Sequence, residues 1–515
     1  MLQVLNKLLN DREMKARKIL ISLLLTALPL LCSAQALKGS YFLDNSIDRT
    51  RMNPAFAPGA NYLHLPGLGG IEAGIYSNWL GLDRFLYPLP DGQLGTFLHP
   101  DVSVREFERN FPSHPFLDAE ANVTLFGFGF RTKKNSFWTF DLGLRTNVDC
   151  DVPADLFVFL KKGTGTGSGS YNIAGFNAFA GASLQASLGY SRDLSNLVKG
   201  LRIGARLRFI APVAYAALNL ENVRLTTATD SWTIDTEGYL DIAAHGLQVA
   251  MPDVNESLDD ITTPSFAFDL DKFLANRVLC GYGISGDLGV EYQLRVGSFL
   301  DGLSFSAAVT DLGAIFYQKE ATNSYETKGH FTFEGFNDIS ADTDFDSEID
   351  QVKDEAVKGL VNLNEVASRK LRASSGPRVY AGIELPFLHE TMSVGMLYSS
   401  RFSQKYARHE LTASYNLEPC NWFALGVNWS FLNSVKNLGF ILELTPRIGP
   451  TIRFGMDYLF AEFGKAPILE QFGIPSQLCY LPTGSLNLNM NFSLAFNIGG
   501  KRPVKHIVQK EEVLD

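Results

Sequence analysis

The chain has 515 residues, a formal net charge of −10 and 19% charged residues, fewer than the ~25% typical of globular proteins. The acidic balance argues against a nucleic-acid-binding surface, which would be basic. Mean hydropathy is +0.01, and no long apolar run suggests a membrane-spanning helix. A β-barrel distributes its apolar residues by alternation and would give this profile.

The N-terminal segment 1–34 is predicted to be a cleaved signal peptide that exports the chain to the outer membrane of a Gram-negative cell. The true start is predicted at Met14, since basic residues at 15, 17 and 18 precede an apolar stretch. Small residues then allow cleavage before Gln35. Lipidation of Cys32 is the alternative, but Leu31 stands where a lipoprotein needs a small residue.

Residues 35–60 are polar and contain proline, and neither strand nor helix periodicity is present. We expect this lead-in, or hatch, to lie in the periplasmic mouth or the lumen. Residues 61–500 are predicted to form an antiparallel transmembrane β-barrel of about 14–16 strands, counted as sixteen. They lie at 70–78, 119–131, 137–147, 179–191, 201–210, 217–228, 232–243, 282–294, 303–311, 378–385, 392–399, 407–416, 422–431, 438–447, 451–460 and 485–498.

The connections between these strands separate into two groups. Short turns such as 132–136, 417–421 and 448–450 fall on one rim, and every long connection falls on the other. Outer-membrane barrels have short periplasmic turns and longer external loops. We therefore assign the long insertion 312–377 to the outside, with short helices in the external loops, and residues 501–515 to a periplasmic tail. A phase change near Gly127 predicts a β-bulge.

The last strand, 485–498, shows the alternation most clearly. Leucine, methionine, phenylalanine and isoleucine occupy one phase over fourteen residues, and asparagine and serine dominate the other. Successive side chains of a strand point to opposite faces. One face is therefore apolar enough for lipid, and the other is suited to a water-filled lumen.

The lumen phase of several strands carries charged side chains. The candidate lumen-lining residues are Arg145, Arg202, Arg206, Arg208, Asp287, Glu291, Arg378, Glu384, Glu443, Arg453 and Asp457, with Arg447 and Asp141 in the same phase. Arginines alone would suggest an anion-selective pore. Because acids share the interior, a lumen held by internal ion pairs is the favoured interpretation.

No enzyme, cofactor or metal site is indicated, and no catalytic residue is predicted. His389 and His409 each precede a glutamate but lack the second histidine of the H-E-x-x-H zinc motif. The acidic run 342–350 fails the EF-hand pattern, because Ser347 and Lys353 replace the required Gly and Glu. It is predicted instead to begin a helix at about 347–361.

Several motifs carry a family resemblance: SYFLDN at 40–45, RMNPAFAP at 51–58, DLGVEY at 287–292 and TDLG at 310–313. With these motifs the chain resembles an uncharacterised family of Bacteroidota outer-membrane barrels. Its hatch motif, Asn53-Pro54-Ala55, is also similar to a segment of FadL-type fatty-acid transporters and of PorV-type secretion barrels. FadL-type transporters have fourteen strands and an N-terminal hatch, so a count of sixteen departs from them.

Two functions follow from the resemblance. The first is passive uptake of small hydrophobic molecules, and the alternative is a PorV-like scaffold that holds secretion-system or surface proteins through its external loops. Outer-membrane lipid is a partner in either case. A wide apolar lumen pocket would favour uptake, whereas a lumen filled by side chains, with an apolar patch on the loops, would favour the scaffold.

Overall fold

The computed structural model describes residues 37–65, 69–89, 94–132, 135–162, 169–172, 175–228, 231–245, 247–250, 265–268, 279–296, 300–333, 363–366, 370–388, 390–402, 407–420, 422–432, 435–446, 450–459, 463–465, 480–482 and 487–498. The predicted signal peptide, the helix at 347–361, Arg447, Cys479 and the C-terminal tail lie outside these residues.

The described strands are β1 (Tyr62–His64), β2 (Gly70–Ser77), β3 (Leu86–Pro88), β4 (Leu94–Thr96), β5 (Phe116–Arg131), β6 (Ser136–Asp151), β7 (Gly169–Asn172), β8 (Phe176–Asp193), β9 (Leu201–Thr227), β10 (Trp232–Ala243), β11 (Leu247–Ala250), β12 (Ser265–Phe268), β13 (Gly281–Gln293), β14 (Ser304–Tyr317), β15 (Thr322–Phe333), β16 (Leu363–Val366), β17 (Arg372–Ser374), β18 (Arg378–Phe387), β19 (Met392–Phe402), β20 (Ala407–Cys420), β21 (Phe423–Leu432), β22 (Val435–Leu444), β23 (Thr451–Leu459), β24 (Phe463–Lys465), β25 (Tyr480–Pro482) and β26 (Asn487–Asn497). The α-helices are α1 (Arg49–Met52), α2 (Leu82–Phe85), α3 (Val104–Asn110) and α4 (Ala154–Lys162), and 3₁₀ turns span Lys38–Ser40 and Lys319–Ala321.

Fourteen antiparallel strands close into a barrel within the described part of the chain. The first barrel strand consists of β1 and β2, which both pair with β5 on one side and with β26 on the other. Around the wall the order is β1/β2, β5, β6, β8, β9, β13, β14, β18, β19, β20, β21, β22, β23 and β26. The predicted fold class is therefore confirmed, and the number of strands lies at the lower end of the predicted range.

The count of sixteen was too high for two reasons. Strands predicted at 201–210 and 217–228 are one continuous strand, β9, of 27 residues, and residues 211–216 are not a loop. The first half of β9, up to residue 210, pairs with β13 in the wall. Its outer half, from residue 215 onward, pairs instead with β10, which pairs in turn with β15. The outer half of β9 with β7, β10, β15 and β16, called here the external sheet, continues beyond the barrel.

Alternation along each strand separates a lipid face from a lumen face. In β26, Asn487, Asn489 and Asn491 are at most 1% exposed, whereas Phe492 and Phe496 are 41% and 38% exposed. Large apolar side chains are exposed in the same way around the wall, among them Leu288, Phe305, Met396 and Trp429. So continuous an apolar surface needs lipid to cover it. Among the described residues, no helix is long and apolar enough to cross a bilayer.

Both rims match the expected division of short and long connections, and they are named here external and periplasmic after the orientation predicted from the sequence. Short turns follow β5, β18 and β20, and the long connections after β2, β6, β9, β14 and β23 share the opposite rim. The predicted bulge on β5 is present as a register shift between Thr124 and Phe126. Strand β14 extends to Tyr317, so the first residues of segment 312–377 belong to the wall.

Candidate lumen and plug site

Residues 37–60 lie inside the barrel and are called here the plug. Leu37, Tyr41, Asn53 and Phe56 are each at most 3% exposed. The plug consists of tight turns and the single-turn helix α1, in which backbone N–H groups bond carbonyls three or four residues earlier. Side chains of the wall add further contacts, at three levels of the lumen.

Lys38 fixes the plug in the external half of the lumen. Its backbone N–H donates to Asp457 Oδ2 at 2.6 Å, and the Gly39 N–H donates to Asp457 Oδ1 at 3.1 Å. Its ammonium group contacts the Glu410 carboxylate and the Tyr458 hydroxyl. Asp457, predicted from its strand phase, therefore binds the backbone of the plug.

Arg453 and Arg51 connect the middle of the plug to the wall. Arg453 donates from Nε to Glu443 Oε2 at 2.9 Å, and its Nη1 lies 3.6 Å from Asp48 Oδ2 of the plug. Arg51 of the plug pairs with Glu72, which is 1% exposed. All five side chains would carry a large desolvation penalty without these partners.

The periplasmic end of the plug borders a cavity of about 500 Å³. Arg49 bonds Asp44 at 2.6 Å and lies 3.8 Å from Glu291, which Arg202 approaches to 3.5 Å. Burial lowers the pKa of Arg49, but the carboxylates of Asp44, Glu291 and Glu384 outweigh it and raise that pKa above its usual value. Arg202, Glu291 and Glu384 of the predicted set thus surround the same arginine.

The hatch motif forms a turn that touches the wall closely. Asn53 Oδ1 accepts the Ala55 N–H at 2.9 Å, and Asn53 Nδ2 donates to the Val290 carbonyl at 3.2 Å. Asparagine side chains commonly stabilise a turn in this way. The Pro54 carbonyl lies directly on Gly204, where a Cβ would come within 2.1 Å of its oxygen. The motif therefore requires both the Asn side chain and a glycine in the wall.

Two further motifs of the sequence, DLGVEY and TDLG, meet at a register shift between β13 and β14. Asp311 has a positive φ of 58° and donates its N–H to Asp287 Oδ1 at 2.8 Å. The two carboxylates bind arginines of β9 and Arg145 of β6. Arg208 bonds Asp287 at 3.0 Å and contacts Asp311, Arg206 lies 3.8 Å from Asp287, and Arg145 bonds Asp311 at 3.1 Å.

A third group of charges joins opposite walls at the external end of the barrel, and we call it the cross-lumen layer. Its members are Arg378, Arg401, Arg408, Asp118, Glu120, Asp149 and Asp151. Only Arg378 belongs to the predicted set. The others were missed although a signal exists, since Arg408 occupies the same phase of β20 as the polar residues Glu410 and Thr412.

Every predicted arginine in the described part of the chain lies within 4.0 Å of a carboxylate. These are Arg145, Arg202, Arg206, Arg208, Arg378 and Arg453. Such pairing favours the lumen held by internal ion pairs over an anion-selective lining.

A cavity of about 120 Å³ remains beside the plug, in the middle of the barrel. Its lining is mixed, with charged side chains such as Arg51, Arg206 and Asp141 next to Met52 and Val123. A volume of this size holds a few water molecules.

The register of the wall changes next to this cavity. His64 pairs with Gly127, and Gly70 pairs with Thr124, so the pairing of β2 with β5 is offset by three residues from the pairing of β1 with β5. His64 is 0% exposed, and neither of its ring nitrogens has a hydrogen-bond partner among the described residues.

Residues 54–449 match the model of a family of unknown function, DUF5723. The chain belongs to this family. None of the curated proteins matches this DUF5723 barrel in sequence. Among solved structures it is similar to the toluene transporter TodX of P. putida, with 10% identity, 88% of this chain and 95% of that chain covered, and a TM-score of 0.37. It is also similar to a FadL homologue of Pseudomonas aeruginosa, with 10% identity, coverages of 90% and 97%, and a TM-score of 0.37. At these identities and TM-scores, the functions of those proteins do not transfer to this chain.

Proposed function

We propose that this DUF5723 barrel is a passive outer-membrane channel for small hydrophobic molecules, which leave the lumen sideways into the bilayer. The observation that carries the proposal is the change of register between β1 and β2 beside the lumen cavity. Against β5, the pairing of β2 is offset by three residues from the pairing of β1. Export through the predicted signal peptide and location in the outer membrane belong to the same proposal, which assigns no catalytic role.

An aromatic cluster holds the external loops together above the route of entry. Tyr87, Phe107 and Phe111 are at most 7% exposed, and Trp79 and Phe157 pack against them. The cluster joins the loop after β2 to helix α4 after β6. Because these side chains are buried against one another, the cluster fixes the two loops to each other.

Sideways release follows from the chemistry of the interior. The plug occupies the way to the periplasm, and its surroundings are charged and paired. An apolar molecule gains free energy by leaving such surroundings for lipid, at about 25 cal/mol for each Å² removed from water. The hatch motif, Asn53-Pro54-Ala55, then acts in this proposal as the closure against the periplasm.

Deleting residues 66–68 tests the route. The deletion removes the three-residue offset, so β1 and β2 can pair continuously with β5. Intact cells that express the chain should take up the hydrophobic dye N-phenyl-1-naphthylamine faster than cells without it, and the deletion should abolish the gain. A matched deletion of three residues elsewhere in the chain, 297–299, between β13 and β14, should leave uptake unchanged. Equal uptake by both deletion variants would refute sideways release.

A scaffold for secretion-system or surface proteins is the second candidate function. The external sheet favours it, because β10 and β15 pair over twelve residues outside the barrel wall. Within the described lumen the cavity beside the plug is small and charged rather than wide and apolar. A photo-crosslinking residue at Lys328, which is exposed on β15, should capture one defined surface protein in living cells. Absence of any crosslink there and at neighbouring exposed positions would reject this candidate.

A further inference from the structure

We propose that the cross-lumen layer is an external gate that closes the barrel independently of the plug. The observation behind this proposal is direct contact between side chains of opposite walls. Arg401 Nη1 lies 3.4 Å from Asp118 Oδ2, and its Nη2 lies 3.0 Å from Asp149 Oδ2. Arg408 contacts Asp118 and lies 3.3 Å from Asp151.

The positions of these residues in the barrel make the contacts unusual. Counted from β1/β2, the acids stand on the second and third strands, and the arginines stand on the eighth, ninth and tenth. In a ring of fourteen, the second and ninth strands are diametrically opposite. A circular barrel with strands about 4.8 Å apart and tilted by about 40° would be roughly 28 Å across. Side chains of one arginine and one aspartate cannot bridge that width, so the walls must converge at this level.

All seven residues lie at the external ends of their strands. Arg378 and Arg408 are the first and second residues of β18 and β20, and Arg401 is next to the last residue of β19. Asp118 stands near the start of β5, and Asp151 ends β6. The layer therefore stands at the external mouth of the barrel wall.

Because the charged side chains of the layer are buried together, we expect the layer to open and close as a unit. The side chains of Arg401 and Arg408 are 9% and 7% exposed, and those of Asp118 and Glu120 are 3% and 0% exposed. Moving one wall away would leave several buried charges without their partners at once, which is strongly unfavourable. The Arg408 guanidinium also lies 4.0 Å from the centroid of the Phe116 ring, an arrangement that favours a fixed position.

The layer and the plug are separate structures. A cavity of only about 30 Å³ lies between them, lined by Lys38 of the plug and by Ser399, Arg401 and Arg408 of the wall. Lys38 pairs with Glu410, which is not a member of the layer. A change that loosens the layer can therefore leave the plug in place, and the two closures can be tested separately.

Thiol accessibility in intact cells tests the gate in the full chain. With Cys150, Cys280, Cys420 and Cys479 replaced by alanine, Ser399→Cys places a thiol directly below the layer, at a position that is 7% exposed. A membrane-impermeant maleimide added outside should not label it. Adding Arg401→Gln and Arg408→Gln should raise the labelling rate by about tenfold or more, because the closed layer opens more often. Arg401→Lys with Arg408→Lys keeps the charges and should stay closer to the parent.

Two controls make each outcome decisive. Leu98→Cys, in an external loop and 54% exposed, should be labelled equally in every background. Heat-modifiable migration on gels should show that each variant has a folded barrel. Labelling of Ser399→Cys with the layer intact, or no increase in a folded Arg401→Gln/Arg408→Gln variant, would overturn the proposal. The inference holds for whichever molecule passes, so its failure would leave the dye-uptake result unaffected.

Discussion

Replacing Arg453 with methionine should destabilise the barrel far more than replacing an arginine at its rim. The Arg453 side chain is 1% exposed and bonds Glu443 at 2.9 Å and Ser493 at 2.8 Å. Without it, Glu443 and Asp48 remain 3% and 2% exposed and lose their arginine. Breaking a buried pair by removal of one partner costs about 3–5 kcal/mol.

Arg202→Met is the matched control. Arg202 pairs with Glu291 at 3.5 Å and with Asp193 at 3.8 Å, and the three side chains are 24%, 19% and 27% exposed. Partly solvated pairs of this kind contribute about 0–1 kcal/mol. Free energies of unfolding from urea titrations in lipid vesicles would measure both variants. Adding Glu443→Gln to Arg453→Met should recover part of the loss, because it removes one of the stranded charges.

Equal costs for Arg453→Met and Arg202→Met would refute this reasoning. The reasoning would also be refuted if the double variant Arg453→Met/Glu443→Gln lost as much stability as the single variants Arg453→Met and Glu443→Gln together. Protease digestion of the plug gives a second readout, since Asp48 belongs to the plug and lies 3.6 Å from Arg453. The plug should become easier to cleave in Arg453→Met and should stay protected in Arg202→Met.

Three other predictions concern the lipid face, the plug and the orientation. Phe492→Arg, on the lipid face of β26, should cost about 2–4 kcal/mol in the same titration, and a negligible cost would mean that this face is not in lipid. Burial raises the pKa of Tyr41 to about 12, so its contribution to stability is complete below pH 10 and is lost as the pH rises to 12. Tyr41→Phe should remove that part of the pH dependence, and an unchanged alkaline profile would contradict the assignment. Cys420 is exposed on the rim opposite Cys150 and Cys280. An impermeant maleimide should therefore label it only after the outer membrane is opened. Labelling on intact cells would show that the assigned orientation of the barrel is wrong.

The sequence pattern identified most barrel strands because period-2 alternation is a local property. It correctly separated Phe492 from Asn491 and Leu442 from Glu443, since each pair stands on opposite faces of one strand. It divided β9 at residues 211–216, where Pro212 and a run of small residues weaken the pattern. The ladder with β8 passes through that segment, and on the other side of β9 the partner changes there from β13 to β10, so neighbouring strands determine the length of this one.

Neither the pairing of β10 with β15 nor the cross-lumen layer could be predicted in this way. Trp232–Ala243 has the alternation of a wall strand, and only its partner shows that it stands outside the barrel. Arg401 and Asp118 are 283 residues apart and meet because their strands are opposite each other in a closed ring. Strand phase indicates that a side chain points inward, but the identity of its partner depends on closure.

The continuity of β9 has a mechanical consequence. One unbroken backbone of 27 residues carries Arg202, Arg206 and Arg208 within the barrel and forms part of the external sheet above it. At about 3.3 Å per residue the strand is roughly 90 Å long, against an apolar band of about 25 Å. A pull on the external sheet is transmitted along this backbone, past the bulge at Val213. The pull loads the hydrogen bonds of the wall in shear, so a force on the external sheet reaches the ion pairs of the lumen.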